Sequence, residues 1–285
     1  MLHKYHTFSS LLKIGSALLS PSPSNQLDAQ ILLCKAAGLK KEYLIAHHTD
    51  QANNLISRRY FYLIGKRRRR MPLAYILGEK DFYNLKFKVN SSVLIPRPET
   101  EGLIELALKY LDDSQVFKVI DLGTGSGCIA ISLAKSTPKN VLIDAIDISR
   151  QALIIARSNA KKILGKDYKR IRFRKFNYLT QEFDEKYNLI IANPPYVPIE
   201  DKHKLEKDIS FEPQTAIFAK NKGLQYYYAI KNLLLNNLSI SGIALIEIGI
   251  QSKQDLYEIF GDSFKIDLKQ DLSGNNRYLI IAPLS

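Results

Sequence analysis

The sequence predicts an α/β protein: a seven-stranded, Rossmann-like sheet with an antiparallel last strand, preceded by a small helical domain and a β-hairpin linker. Three observations predict it. From Phe117 onward, short apolar runs of β-forming residues alternate with helical stretches, the pattern of parallel strands joined by right-handed crossovers. A glycine-rich turn, Gly123-Thr124-Gly125-Ser126-Gly127, joins the first of these strands to its helix. Only Lys269–Arg277 separates the last two strands, and its Ser273-Gly274-Asn275-Asn276 is turn chemistry, so the seventh strand folds back antiparallel beside the sixth.

Composition sets the outer limits. A length of 285 residues suits about two domains, and 46% hydrophobic residues is a globular composition. Cys34 and Cys128 are far apart and give neither a disulfide framework nor a metal-ligand cluster. Of the five histidines, only His47 and His48 are neighbours, and adjacent residues on a helix point apart, so no metal site is expected. No apolar run reaches the ~18 residues needed to span a bilayer. Residues 1–24 read as an amphipathic helix interrupted by Lys13 and ending at Pro21–Pro23, and not as a signal peptide, which points to the cytoplasm. The net charge of +13 suits an acidic partner or nucleic acid.

Residues 1–80 form the helical domain. Gln26–Ala37 carries an i, i+4 apolar stripe closed by Gly38, and Tyr43–His48 and Leu55–Ile64 are shorter helices. The last runs into Lys66 and Arg67–Arg70, read as a solvated helix end whose cations suit the dipole, with phosphate or acidic-protein binding as the alternative. Residues 81–97 form the linker, because Leu85–Val89 alternates between Asn-containing turns, as a hairpin does. Residues 98–285 form the sheet domain. Ile95-Pro96-Arg97-Pro98 is stiff and extended, and Thr100-Glu101 starts the helix Leu103–Leu111. The strands are Phe117–Leu122, Val141–Ile146, Ile171–Phe176, Tyr187–Ala192, Ile243–Ile248, Phe264–Leu268 and Tyr278–Ala282.

The fourth strand carries the chemistry. Leu189-Ile190-Ile191-Ala192 runs directly into Asn193-Pro194-Pro195-Tyr196, at the carboxyl end where open α/β sheets bind ligands. An amide or aromatic –NH2 is a poor nucleophile, and methylating it requires both N–H bonds engaged and the lone pair aimed. The Asn193 side-chain oxygen and the Pro194 carbonyl can accept those bonds. Pro194 and Pro195 stiffen the backbone, and Tyr196 offers a flat surface to a planar group. An ordinary strand followed by a Pro turn accounts for the tetrapeptide alone. Gly123, Gly125 and Gly127 let backbone approach a ligand. The dinucleotide fingerprint needs its third glycine where Cys128 stands, so the loop fits the methionine portion and ribose of S-adenosylmethionine better, with a nucleotide-binding Rossmann enzyme as the alternative. Asp147 ends the second strand, placed for the ribose hydroxyls. Asn177 can reach the adenine edge, with Tyr178 against its ring. A seven-stranded sheet with an antiparallel last strand is the arrangement of S-adenosylmethionine-dependent methyltransferases.

Residues 72–82 (PLAYILGEKDF), 93–101 (VLIPRPETE), 121–127 (DLGTGSG), 192–196 (ANPPY) and 211–219 (FEPQTAIFA) together resemble the PrmC/HemK family, protein-(glutamine-N5) methyltransferases acting on peptide chain release factors. The resemblance covers nearly the whole chain. It implies cofactor contacts at Gly123, Thr124, Gly125, Ser126, Gly127, Asp147 and Asn193. It also implies that the substrate glutamine meets Asn193, Pro194, Pro195 and Tyr196, with Asn193, Pro194 and Tyr196 catalytic. The implied reaction is methyl transfer from S-adenosylmethionine to the N5 amide of the Gly-Gly-Gln glutamine in class I release factors, with the helical domain as docking module. Two departures stand out. The family commonly has Asp-Trp where this chain has Asn177-Tyr178, which implies changed affinity with binding retained. Lys220-Asn221-Lys222-Gly223 replaces an acidic, Gly-rich turn. The long connection 197–222 follows the tetrapeptide, and its mixed charges read largely as a solvated helix with i, i+4 pairs. On this reading direct nucleic-acid binding is not expected. The alternative, a DNA or RNA amino-base methyltransferase acting on N6-adenine or N4-cytosine, lacks a recognisable DNA-reading motif in the N-terminal third.

Overall fold

The computed structural model describes residues 6–111, 116–249, 251 and 253–284, so the first five residues of the N-terminal amphipathic stretch lie outside the described residues. The chain divides into two units, Met1–Gly78 with Lys207–Phe211, and Glu79–Glu206 with Glu212–Ser285. Among the described residues no helix is long and apolar enough to cross a membrane.

The first unit is helical: α1 (Phe8–Leu19), α2 (Asn25–Ala37), α3 (Lys41–Ala46), α4 (Asn54–Arg68) and α5 (Leu73–Leu77). Local chemistry sets the ends. The Thr7 hydroxyl accepts from the Ser10 N–H, Asn53 does the same for Ile56, and Gly38 closes α2 at a φ of 69°. Leu11, Leu32, Leu33, Leu44, Tyr60 and Ile64 are buried together, because the apolar stripes of α1, α2 and α4 face one another.

The basic run departs from the solvated-end reading. Helix α4 continues to Arg68, and Arg67 turns inward with only 12% of its side chain exposed. Its Nε donates to Asp28 (2.7 Å) and its Nη1 to Asp208 (2.6 Å), while Arg70 Nε also meets Asp208 (2.8 Å). Two carboxylates on buried or half-buried positions need a counter-ion, and a guanidinium fork serves both. Arg68 and Arg69 remain exposed.

The second unit opens with a hairpin, Glu79–Phe82 against Leu85–Lys88, turned by Tyr83 and Asn84 at φ of 48° and 56°. Positive φ at both central residues matches the twist of the paired strands. Then come β1 (Phe117–Leu122), β2 (Val141–Asp147), β3 (Ile171–Lys175), β4 (Tyr187–Ala192), β5 (Leu238–Glu247), β6 (Phe264–Gln270) and β7 (Asn276–Pro283). They form one sheet in the order β3-β2-β1-β4-β5-β7-β6. The strands β1 to β5 are parallel, and β7 runs antiparallel to both neighbours. The antiparallel last strand is thus the one the sequence predicts, inserted between β5 and β6 so that β6 takes the edge.

Helices cover both faces of the sheet at its centre, which is why β4 and the ends of β1 and β5 are nearly continuous apolar runs. Leu189 and Ile191 face α6 (Glu101–Tyr110), α7 (Cys128–Ser136) and α8 (Arg150–Leu164), while Ile190 and Ala192 face α9 (Gln225–Asn237) and α10 (Lys253–Phe260). Leu122 pairs with both Ile146 and Ala192, and Ala192 with Ile246. This register brings the carboxyl ends of β2, β1, β4 and β5 side by side.

The 197–222 connection is not the solvated helix its charges suggest. It consists of short 3-10 segments (Ile199–Lys204, Lys207–Phe211, Gln214–Ala216, Asn221–Gly223) and a parallel pairing of Val197–Pro198 with Phe218–Ala219. Pro198 and Pro213 interrupt any longer helix. Two of its acids have distant partners: Asp208 meets Arg67, and Glu212, 4% exposed, accepts from Arg97 Nη2 and from the Ile95 N–H.

Candidate active site

Beyond Ala192 the chain leaves the sheet with Asn193 half-buried and Pro194 buried. Asn193, Pro194 and Pro195 open onto a cleft at the carboxyl end of the sheet, the place where open α/β sheets bind ligands. Gly123, Gly125, Asp147, Asn177 and Tyr178 also line it. Eight residues singled out from the sequence therefore share one cavity.

The glycines divide into two roles. At Gly123 (φ 74°) an added Cβ would meet nothing within 4 Å, and at Gly125 (φ 55°) only the Gly123 carbonyl at 3.9 Å. Side chains there would occupy cleft space. At Gly127 (φ 82°) a Cβ would stand 2.8 Å from Ile131 Cδ1 and 3.1 Å from Ala156 Cβ, so this glycine serves close packing of α7 and α8. Thr124 and Ser126 face inward. The Thr124 hydroxyl donates to Asp121 Oδ2 (2.6 Å), and the Ser126 carbonyl accepts from Asn159 (2.9 Å). Asp121 is fully buried, its Oδ1 has no partner, and burial pushes its carboxyl up to about 7.

Asp147 holds the loop to the second strand end: its oxygens accept from the N–H groups of Gly125 (2.9 Å) and Ser149 (2.8 Å). Burial raises its pKa, and those two N–H bonds oppose the rise. A carboxylate has about four acceptor positions, so two remain for hydroxyl groups. Asn177 spends its side-chain oxygen on the Leu179 N–H (3.1 Å), leaving its NH2 and one lone pair. Tyr178 lines the cleft 5.8 Å from the Tyr226 ring, which also lines it.

Tyr196 stands apart from this lining. Its ring lies against the Gly249 backbone, where an added Cβ would come within 2.2 Å of Cδ2. Its carbonyl accepts from Gln251 Nε2 (3.0 Å), and Gly223 closes on the same carbonyl. These contacts make it a fixed wall behind Pro195.

The sequence reading passes over several residues of the site. The Asn193 NH2 donates to Thr100 Oγ1 (3.0 Å), and the Thr100 hydroxyl donates to Glu247 Oε2 (2.7 Å). Thr100 and Glu247 are each 2% exposed. Burial pushes Glu247 up to about 7, against the lowering effects of the Thr100 bond, Arg277 and Arg97. Pro213, Thr215 and Ala216 line the cleft, as do Ser92, Val93 and Leu94. The Arg97–Glu212 pair holds those two segments to one another. A lone acid at the end of an apolar strand was the available signal for Glu247.

The residues present fit S-adenosylmethionine: two glycines whose missing side chains leave open cleft, a partly satisfied carboxylate at the second strand end, and aromatic rings beyond it. Chemically, the arrangement can hold a small ligand beside an amide oxygen and a proline carbonyl.

Comparison with known proteins agrees with this geometry. The family described as Methyltransferase small domain matches residues 104–212, and that described as PrmC N-terminal domain matches residues 10–78. The chain is 38% identical to the release factor glutamine methyltransferase of Leptospira interrogans, covering 95% of this chain and 96% of that one. It is 34% identical to that of Koribacter versatilis, with 96% of each covered. It is also 36% identical to the bifunctional methyltransferase of Rickettsia bellii, and spans about half the length of such relatives (51% in this case). Among solved structures, the hMettl16 catalytic domain superposes with a TM-score of 0.56 at 17% identity, over 77% of this chain and 80% of that one, a likeness of fold alone.

Proposed function

The chain belongs to the release factor glutamine methyltransferase family, and from that premise we propose that it transfers a methyl group from S-adenosylmethionine to the N5 amide of the Gly-Gly-Gln glutamine of class I release factors, in the cytoplasm. The observation that carries this reading is the position of Asn193. Its amide ends β4 and opens on the same cleft as Gly123, Gly125 and Asp147.

Gly123 and Gly125 admit the cofactor to the backbone, and the free acceptor positions of Asp147 take its ribose hydroxyls. Asn177, Tyr178 and Tyr226 form the adenine end. S-adenosylmethionine supplies the electrophilic methyl group. Asn193 Oδ1 and the Pro194 carbonyl accept the two N–H bonds of the substrate amide, which aims its lone pair and fixes its plane. As the nitrogen gains positive charge, those acceptors bind it more strongly, so they stabilise the transition state more than the ground state. No base of tuned pKa is needed, because an alkylated amide nitrogen is acidic. Tyr196 acts from behind, holding Pro195 against the substrate plane. The helical unit is assigned to docking the rest of the protein substrate.

Full-length protein with labelled S-adenosylmethionine and a class I release factor tests the reading. Asn193→Ala should lower kcat by about 100-fold or more while leaving thermal stability nearly unchanged. Near-normal turnover by Asn193→Ala, or robust methylation of an oligonucleotide with none of the release factor, would overturn it.

A further inference from the structure

We infer that Thr100 and Glu247 are positioning residues that fix which end of the Asn193 amide the substrate meets. The two ends of an Asn amide are nearly the same shape and opposite in function. The oxygen accepts and the NH2 donates, so a flipped Asn193 would oppose a substrate N–H with another N–H. Something must choose the orientation.

The hydrogen-bond chain makes that choice. An ionised Glu247 can only accept, so the single proton of the Thr100 hydroxyl is committed to Glu247 Oε2 at 2.7 Å. The hydroxyl oxygen can then only accept, and it does so from Asn193 Nδ2 at 3.0 Å. With NH2 drawn inward, Oδ1 is left for the substrate. The direction of the chain runs from a buried charge to the reacting group.

The support behind it is rigid. Ala192 and Ile246 are register partners, so Asn193 and Glu247 leave adjacent strands side by side. Thr100 arrives from the turn before α6, which β7 pins: the Tyr278 hydroxyl donates to the Glu99 carbonyl at 2.6 Å, and Gly102 lets the Tyr278 ring pack where a Cβ would stand 2.2 Å from its oxygen. A constellation held by locked neighbours is what a preorganised site requires.

Protonation of Glu247 would turn an acceptor into a donor and remove the direction of the chain. The groups facing Glu247 are Arg277 of β7, Arg97 and Glu99 of the segment before α6, and the neutral Tyr196, Tyr227, Tyr278 and Cys128. Burial outweighs the two arginines, so its titration falls near neutral pH, and turnover should decline on the acid side. Asp121 titrates in the same range, so the variants must separate the two.

The inference rests on the methyl-transfer reading. The test measures kcat and both KM values, across pH, for wild type, Thr100→Val, Thr100→Ser and Glu247→Gln as full-length proteins. Thr100→Val should lower kcat at least about tenfold, with the KM for cofactor within about twofold of wild type. Thr100→Ser, which keeps the hydroxyl, should recover most of that loss. Glu247→Gln should lower kcat similarly and lose the acid limb. The double variant should be no worse than Thr100→Val, because the residues act as one unit. A Thr100→Val kcat within about twofold of wild type, or an acid limb that survives in Glu247→Gln, would overturn the inference. If Thr100→Val does not fold, the Glu247→Gln profile decides. Wild-type protein that fails to methylate glutamine would instead overturn the proposed function.

Discussion

Arg67→Met should destabilise the helical unit out of proportion to its place in a run of surface cations. The side chain is 12% exposed and its two partners, Asp28 and Asp208, are 7% and 22% exposed. Met fills much of the same volume but leaves both carboxylates without their shared cation, and the Met71 carbonyl loses its Nη1 donor at 3.1 Å. Removing one partner of a buried pair costs roughly 3–5 kcal/mol, because the remaining charge is uncompensated. Two features reduce this. Asp28 retains the Ser24 hydroxyl (3.1 Å), and Asp208 retains Arg70 at 2.8 Å. We therefore expect a loss of about 3 kcal/mol, the lower end of that range. Because two units can unfold separately, the assay should be local: hydrogen exchange of α2 and α4 amides through a urea series. Arg68→Gln and Arg69→Gln, both exposed, should change stability by less than about 0.5 kcal/mol. Adding Asp28→Asn to Arg67→Met should restore part of the loss, since one stranded charge is gone. A loss below about 1 kcal/mol in Arg67→Met, the size of an ordinary surface pair, would refute the structural role and return the whole run to the solvent.

Asp147→Asn should weaken S-adenosylmethionine binding by about 1.5–3 kcal/mol, because a charged acceptor is lost and one amide end must face the Gly125 or Ser149 N–H. Calorimetry showing wild-type affinity would remove Asp147 from the site. Gly127→Ala should cost about 1–3 kcal/mol of stability from its positive φ and the contact with Ile131. In Gly123→Ala the added methyl stands in the cleft, so a cofactor-binding loss should appear on top of the strain. Equal cofactor affinity in the two variants would contradict the division of roles. Asp144, within β2, gives a pH test. Burial raises its pKa, yet bonds from Arg172 and Tyr187 together with the charge of Arg174 outweigh that and leave it lowered. Its contribution is thus complete above the unfolded value of about 3.9 and is lost as pH falls through the folded one. Asp144→Asn should flatten the stability loss below about pH 4, and an unchanged acid-unfolding curve would exclude it.

The fold was legible because local and global signals agree. Apolar runs such as Leu189–Ala192 have no polar face to offer water, and a strand buried on both sides needs none. Gly38 ends α2 where a left-handed residue is required, and the Tyr83-Asn84 turn closes a hairpin whose alternation is plain at Leu85–Lys88. What the pattern could not fix was the insertion of β7 between β5 and β6. That choice depends on which edge of β5 is free, and no local residue records it. The basic run misled for a related reason. Arg67 and Arg68 are adjacent and chemically the same, and only the approach of Asp28 and Asp208, 39 and 141 residues distant, separates a structural cation from a solvated one.

The site divides along the same line. Residues that line the cleft with backbone or with a strand-end side chain were readable as its lining, because turn chemistry and strand termination place them: Gly123, Gly125, Asp147, Asn193 and Pro194. Residues that act through another residue were not. Tyr196 follows Pro195 directly, yet its ring is claimed by Gly249 across a tertiary contact. Glu247 is the instructive case. Within Ile243–Ile248 it is the one charged residue, and a carboxylate buried there must find a donor or shift its pKa. The sequence therefore announces that a partner exists and cannot say which, since Thr100 lies 147 residues away. Chain folding joins the two at the point where β4 and β5 end together. There the cost of burying an acid is offset by a function that a neutral residue could not perform, giving a hydroxyl, and through it an amide, a single direction.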